Sequence, residues 1–202
     1  LNPAPSLRLY YIEITAPPPS SSGSSSSTST STTTSTSTTT STISSSSSYY
    51  SVTNPNNVSA IVEFLSSSGP TVYYSYSIPP KSTGQIPIPS GYQNMVVSVL
   101  VDGAYDMPSY FPPPSPGSNW TIWNVSSLTK YTFVNNTSNT LYVQVVTPQF
   151  NTELFWANPG QSVNFWAEPG WIVIGNLIEG PKQSLEVCGG RLGSNTTFVC
   201  ES

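Results

Sequence analysis

The chain has 202 residues, of which only 7% are charged, against about 25% in ordinary soluble domains. Five Lys+Arg against nine Asp+Glu leave no basic footprint for nucleic acid, and the absence of histidine excludes a His-centred triad or a His-ligated zinc site. The apolar runs fall far short of the ~18 residues that a membrane-spanning helix needs.

The chain starts at Leu1, which fits an exported protein whose leader has been removed. Residues 1–16, LNPAPSLRLYYIEITA, hold the first predicted strand, residues 7–15. Leu7, Leu9 and Tyr11 alternate on one face, and Tyr10, Ile12 and Ile14 on the other. Residues 17–48 open with Pro17-Pro18-Pro19. From Ser20 to Ser48 every residue except Gly23 and Ile43 is Ser or Thr. Such a tract cannot bury apolar surface and reads as a linker or stalk. Fully extended, it reaches roughly 110 Å.

Residues 49–202 read as one globular head. Strands are predicted at 49–53, 58–66, 71–78, 94–101, 120–123, 131–135, 140–147, 152–156, 161–167, 171–178, 184–188 and 196–200. Gly/Pro/Asn/Ser clusters such as SSSGP, PPKSTG and NPGQ separate them. In TLYVQVVT, Leu141, Val143 and Val145 share one face, and the reverse face of Tyr142, Gln144 and Val146 is mixed. The fold class is therefore all-β, an Ig-like antiparallel β-sandwich head with an N-terminal strand-forming tail. No internal repeat is apparent, and the Pro-rich stretch 108–117 reads as a stiff surface loop.

Cys188 and Cys200 are the only cysteines. In an exported chain they are expected to form a disulfide, worth about 3 kcal/mol, that pins a C-terminal hairpin. Six N-x-S/T sequons, at Asn57, Asn119, Asn124, Asn135, Asn136 and Asn195, point to covalent N-glycans. Asn135 and Asn136 overlap, so at most one of them is expected to carry a glycan. Among the carboxylates, Asp102 and Asp106 flank a DGAY turn and read as turn residues. A Ser-Lys dyad would need Lys81, Lys130 or Lys182 in a dry pocket, and each reads more simply as a solvated ammonium. Lys130 is also the mild candidate for a Lys–Asn isopeptide bond. Trp156 and Trp166 lie in apolar runs and read as core, whereas Trp120 and Trp123 lie between sequons and read as partly exposed, open to stacking on sugar. No metal or cofactor is implied.

A strand at residues 7–15 leaves backbone groups unpaired unless it joins a sheet, either in its own head or in a neighbouring subunit. Strand, linker and head together resemble the donor-strand pilins of bacterial type 1 pili. The charge-poor, Ser/Thr/Asn/Tyr-rich composition with dense sequons resembles surface proteins of thermoacidophilic archaea of the Sulfolobus type. Combined, the chain resembles the subunit of the archaeal thread filament. That resemblance implies a non-enzymatic subunit of an extracellular, cell-surface filament that polymerises head to tail with identical subunits, Tyr10, Ile12 and Ile14 entering the acceptor core. The alternative is a secreted β-sandwich hydrolase or carbohydrate-binding module on a Ser/Thr-rich stalk.

Overall fold

A computed structural model describes residues 49–180 and 183–201. The donor-strand residues Leu7, Leu9, Tyr10, Tyr11, Ile12 and Ile14, and the linker, lie outside the described residues.

Fourteen strands follow in chain order. β1 is Tyr49–Asn54, β2 Ala60–Ser66, β3 Val72–Ile78, β4 Ser82–Pro87, β5 Met95–Val101, β6 Ala104–Tyr110 and β7 Asn119–Thr121. β8 is Thr129–Asn135, β9 Leu141–Val146, β10 Thr152–Ala157, β11 Ser162–Ala167, β12 Ile172–Gly180, β13 Gln183–Arg191 and β14 Thr197–Cys200. Only short 3-10 turns, at Tyr92–Asn94 and Val125–Ser127, interrupt them among the described residues.

The strands bear out the all-β sandwich class, and their pairing adds an internal repeat that the sequence did not show. β1 pairs antiparallel with β4 and parallel with β7. β2 pairs with β3 and β5, and β5 with β6, all antiparallel. The second half repeats this strand for strand. β8 pairs antiparallel with β11 and parallel with β14. β9 pairs with β10 and β12, and β12 with β13, all antiparallel. The head is thus two seven-stranded β-sandwich units in tandem, β1–β7 and β8–β14. Each lays a three-stranded sheet on a four-stranded one.

Each unit has its own core, because alternate residues of its two sheets turn inward. In the first, Tyr50, Val52, Val62, Phe64, Val97, Val99 and Trp120 are buried together. In the second, Tyr131, Phe133, Leu141, Val143, Val145, Phe155 and Phe165 are. The inward face of Leu141, Val143 and Val145 is as the alternation predicted. The mixed reverse face is covered too, because Tyr142 joins Leu154 and Trp156 against Leu65 and Val96 of the first unit.

The units are docked along a seam. β6 runs parallel beside β11, which fuses the four-stranded sheet of the first unit and the three-stranded sheet of the second into one seven-stranded sheet. The indole N–H of Trp156 donates to the Ser66 carbonyl at 3.0 Å, and that of Trp166 to the Val101 carbonyl at 2.9 Å. The Ser98 hydroxyl donates to the Leu154 carbonyl. Buried Asn56 secures the link between the units, donating to the Trp123 carbonyl at 3.0 Å and accepting from the Val125 N–H at 2.9 Å.

Two strands escaped the sequence reading. β4 (STGQIP) and β6 (AYDMPSY) carry the Gly, Pro and Ser content of loops. β6 therefore takes up the start of the stretch read as a surface loop. Pro108 is accommodated because the β5–β6 register is irregular between Val97 and Val99, where a missing N–H disturbs the ladder least. Asp102 and Gly103 both have positive φ and form the two-residue turn between β5 and β6, as the Asp-Gly pair favours.

Candidate functional site

Strand edges are where a β-sandwich subunit can offer backbone to a partner, so they come first. β3 is the terminal strand of the seven-stranded sheet. Among the described residues nothing pairs with its outer edge. It presents Val72, Tyr73 and Tyr74 at 45%, 51% and 41% exposure. Tyr74 and Tyr76 meet the buried Phe64 edge-on at 6.4 and 6.1 Å, so their rings roof the flank of the first core. The corresponding strand of the second unit, β10, is buried along its whole length. It is covered because it packs against the first unit through Tyr105, which stacks on Phe155 at 4.9 Å, and through the Trp156 and Ser98 contacts.

The sequons separate by exposure. Asn57, Asn119, Asn124, Asn136 and Asn195 are exposed. Asn124 also caps the second 3-10 turn, accepting from the Ser126 N–H, and Asn195 accepts from the Thr197 N–H at 3.0 Å. Asn135 differs. It is fully buried, and its amide donates to the Asn139 and Ala157 carbonyls at 2.8 and 2.9 Å. Its carbonyl accepts from the Thr137 N–H at 3.0 Å. In the folded unit Asn135 has no room for a sugar, so of the overlapping pair Asn136 is the open one.

Cys188 and Cys200 are disulfide-bonded, but not within a hairpin. Cys188 lies on β13 in the four-stranded sheet of the second unit, and Cys200 on β14 beside β8 in the other sheet. The bond staples the two layers of one sandwich across its core. Gly175, directly opposite Cys188, leaves the space: a β-carbon there would stand 2.8 Å from the Cys188 Sγ and 3.2 Å from both Leu141 and Phe133.

The groups weighed for chemistry are placed as follows. The Lys130 ammonium pairs with the Asp102 carboxylate at 2.9 Å, donates to the Asp102 carbonyl at 3.0 Å and lies 4.9 Å from the centre of the Trp166 ring. Lys81 donates to the Pro55 carbonyl at 2.6 Å. Lys182 lies outside the described residues. Trp120 is buried in the first core against Tyr50 at 4.9 Å, which corrects its reading as an exposed sugar platform. Trp123 is half-buried and packs edge-on against Trp171 at 5.7 Å. Trp156 is core as expected, and Trp166 is half-buried against the core of the first unit.

Asp106 was read as a turn residue. It is instead fully buried within β6, and Glu153 is fully buried on β10. None of their four carboxyl oxygens has a hydrogen-bond partner. Burial pushes Asp106 up to about 8, and the neighbouring Met107 N–H, close but outside hydrogen-bonding geometry, only tempers this. Burial, with the charge of Asp106 added to it, holds Glu153 well above the usual carboxylate range. Burial also raises Glu63, whose carboxylate accepts from the Tyr105 hydroxyl at 3.3 Å. Both side chains are sealed from solvent.

No protein-family model matches the chain, and no curated protein matches its sequence. Among solved structures the chain is similar to the shaft pilin SpaA from Lactobacillus rhamnosus GG, in its D295N mutant, at 9% identity and a TM-score of 0.25. The alignment covers 76% of this chain and 96% of that one.

Proposed function

We propose that the chain is a structural, non-enzymatic subunit of an extracellular, glycosylated filament, built head to tail by strand exchange between identical subunits, in the manner of the archaeal thread. One observation carries the reading. Among the described residues, β10 is covered along its whole length, whereas its counterpart β3 is an edge with Val72, Tyr73 and Tyr74 exposed. The same chain carries a strand-forming sequence at residues 7–15, separated from the head by a long hydroxyl-rich linker. One strand to give and one edge to receive make a heterologous contact, which propagates as an open fibre.

The remaining features fit that role. Two docked units whose link is held by the buried Asn56, and a disulfide across one sandwich, would resist mechanical opening. Exposed sequons distributed over both units would give a charge-poor surface a hydrated coat. Among the described residues, Lys81, Lys130 and the tryptophans weighed for catalysis or sugar binding are engaged in pairing and packing. The filament would serve adhesion or contact between cells.

The test is electron microscopy of negatively stained full-length protein beside a form lacking residues 1–16. Filaments from the full chain and monomers from the truncated one are expected. Filaments from both would exclude the N-terminal strand as the connector.

A further inference from the structure

Two fully buried carboxyl groups, one in each unit, whose oxygens find no hydrogen-bond partner among the described residues, are the least expected feature of a head so poor in charge. Asp106 belongs to the first unit and Glu153 to the second, and their strands β6 and β10 form the seam. Ionised, each would forfeit its hydration without recovering a hydrogen bond, and the two charges would repel. Neutral, each is a small polar group in a packed interface. We propose that Asp106 and Glu153 form a protonation-operated lock, which holds the two units together in acid and loosens their seam as the pH rises.

Among the described residues, the strands beside β6 and β10 supply no cation to offset the charge. β5 and β11, on either side of β6, carry no titratable residue. β9, beside β10, contributes only Tyr142, held neutral by burial. On β6, Tyr105 is likewise held neutral by burial and by Glu63 and Glu153, and its hydroxyl turns to Glu63 on β2. Lys130, on β8 beside β11, is engaged by Asp102 at the β5–β6 turn.

The direction follows from proton counting. Between the ordinary carboxylate value and about 8, the folded chain keeps a proton on Asp106 that the unfolded chain has lost. Stability is therefore full in acid, falls as the pH rises through that window, and falls further because Glu153 is also raised. This inference is independent of the filament reading.

The experiment uses purified full-length protein. Thermal midpoint and peptide-resolved hydrogen exchange are followed from pH 3 to pH 9, with Asp106→Asn, Glu153→Gln and the double variant alongside. The wild-type midpoint should fall by on the order of 10 °C between pH 4 and pH 8. Peptides covering β6 and β10 should lose protection at alkaline pH before those covering β1 and β4. The double variant should keep its midpoint across the range, with Asp106→Asn part of the way there. Should the double variant fail to fold, the order of exchange in the wild type decides alone. A double variant with the wild-type pH profile, or alkaline exchange that rises evenly over both units, would overturn the lock. So would recovery of the pH 8 midpoint on adding calcium chloride, which would make the pair a cation site.

Discussion

Asn54 and Asn135 occupy the same position in their respective units and make the same hydrogen bonds. Each ends the first strand of its unit, fully buried. The Asn54 amide donates to the Val58 and Ile78 carbonyls at 2.9 and 3.2 Å, and that of Asn135 to the Asn139 and Ala157 carbonyls at 2.8 and 2.9 Å. Each carbonyl accepts from the N–H two residues on, at 3.0 Å. A buried tyrosine precedes each: the Tyr50 hydroxyl donates to the Pro114 carbonyl and that of Tyr131 to the Gly193 carbonyl, at 2.6 and 2.7 Å. The carboxamide ties the turn after the first strand to the end of the third strand, or its counterpart. Asn54→Ala and Asn135→Ala should each cost about 2–4 kcal/mol, because the backbone groups left behind stay buried. Urea unfolding of the two variants checks this, and near-equal losses are expected.

The repeat was hidden for a physical reason. The units share a pattern, Tyr-x-x-x-Asn followed by alternation, with few identical residues, and a sandwich core accepts many side chains of similar volume. Strands that read as β-branched apolar runs, such as β5 and β9, were legible. β4 and β6 were not, because Gly84, Pro87 and Pro108 are the residues that normally punctuate loops. The disulfide partners were legible but not their geometry, since a short spacing is compatible with a hairpin and with a chain that crosses from one sheet to the other. Asp106 was masked by the Asp-Gly turn signal just before it, and nothing in TELFW marks Glu153 as buried.

The overlapping sequons give a sharper expectation than either alone. Asn135 is consumed by the fold, and Asn136 is exposed beside it. Glycopeptide mass spectrometry of native material should find sugar on Asn136 and a bare Asn135. Asn136→Gln should remove that glycan with little effect on stability, whereas Asn135→Gln should destabilise the unit without removing a glycan. Sugar on Asn135 would contradict the placement of its side chain.

Gly175 and Cys188 face each other across β12 and β13. In the first unit the position corresponding to Gly175 is Val99, paired with Val62 as Gly175 is with Val143. The disulfide thus fills the space that a valine side chain fills in the other unit. Gly175→Ala should destabilise by about 1–3 kcal/mol, because the β-carbon meets the sulfur, Leu141 and Phe133 at once and all belong to a packed core. With Cys188→Ser/Cys200→Ser as background, the bridge is gone and the penalty of Gly175→Ala should shrink. A double-mutant cycle on unfolding free energies measures the coupling.

The final prediction concerns the joint between subunits. As an extended strand, residues 7–15 would set Tyr10, Ile12 and Ile14 on one face, and Leu7, Leu9 and Tyr11 on the other, the latter interrupted beyond Tyr11 by Glu13. If the first face enters the acceptor core, Ile12→Asp should weaken the joint more than Leu9→Asp, since each buried apolar side chain is worth about 1.5–3 kcal/mol. The receiving edge can be tested from the other side. Val72 and Tyr73 are exposed on β3, so Val72→Lys/Tyr73→Lys should leave the head folded while placing two charges where an incoming strand would lie. Adding peptide 7–15 to a head lacking residues 1–16 should slow hydrogen exchange in β3 and raise the thermal midpoint. The doubly lysine-substituted head should lose both effects. Filament length by negative stain gives the second readout: short or absent filaments are expected for Ile12→Asp and for the β3 variant, and longer ones for Leu9→Asp. Protection by the peptide at another strand, with β3 unchanged, would move the acceptor elsewhere. Equal effects of Ile12→Asp and Leu9→Asp would refute the assignment of the buried face.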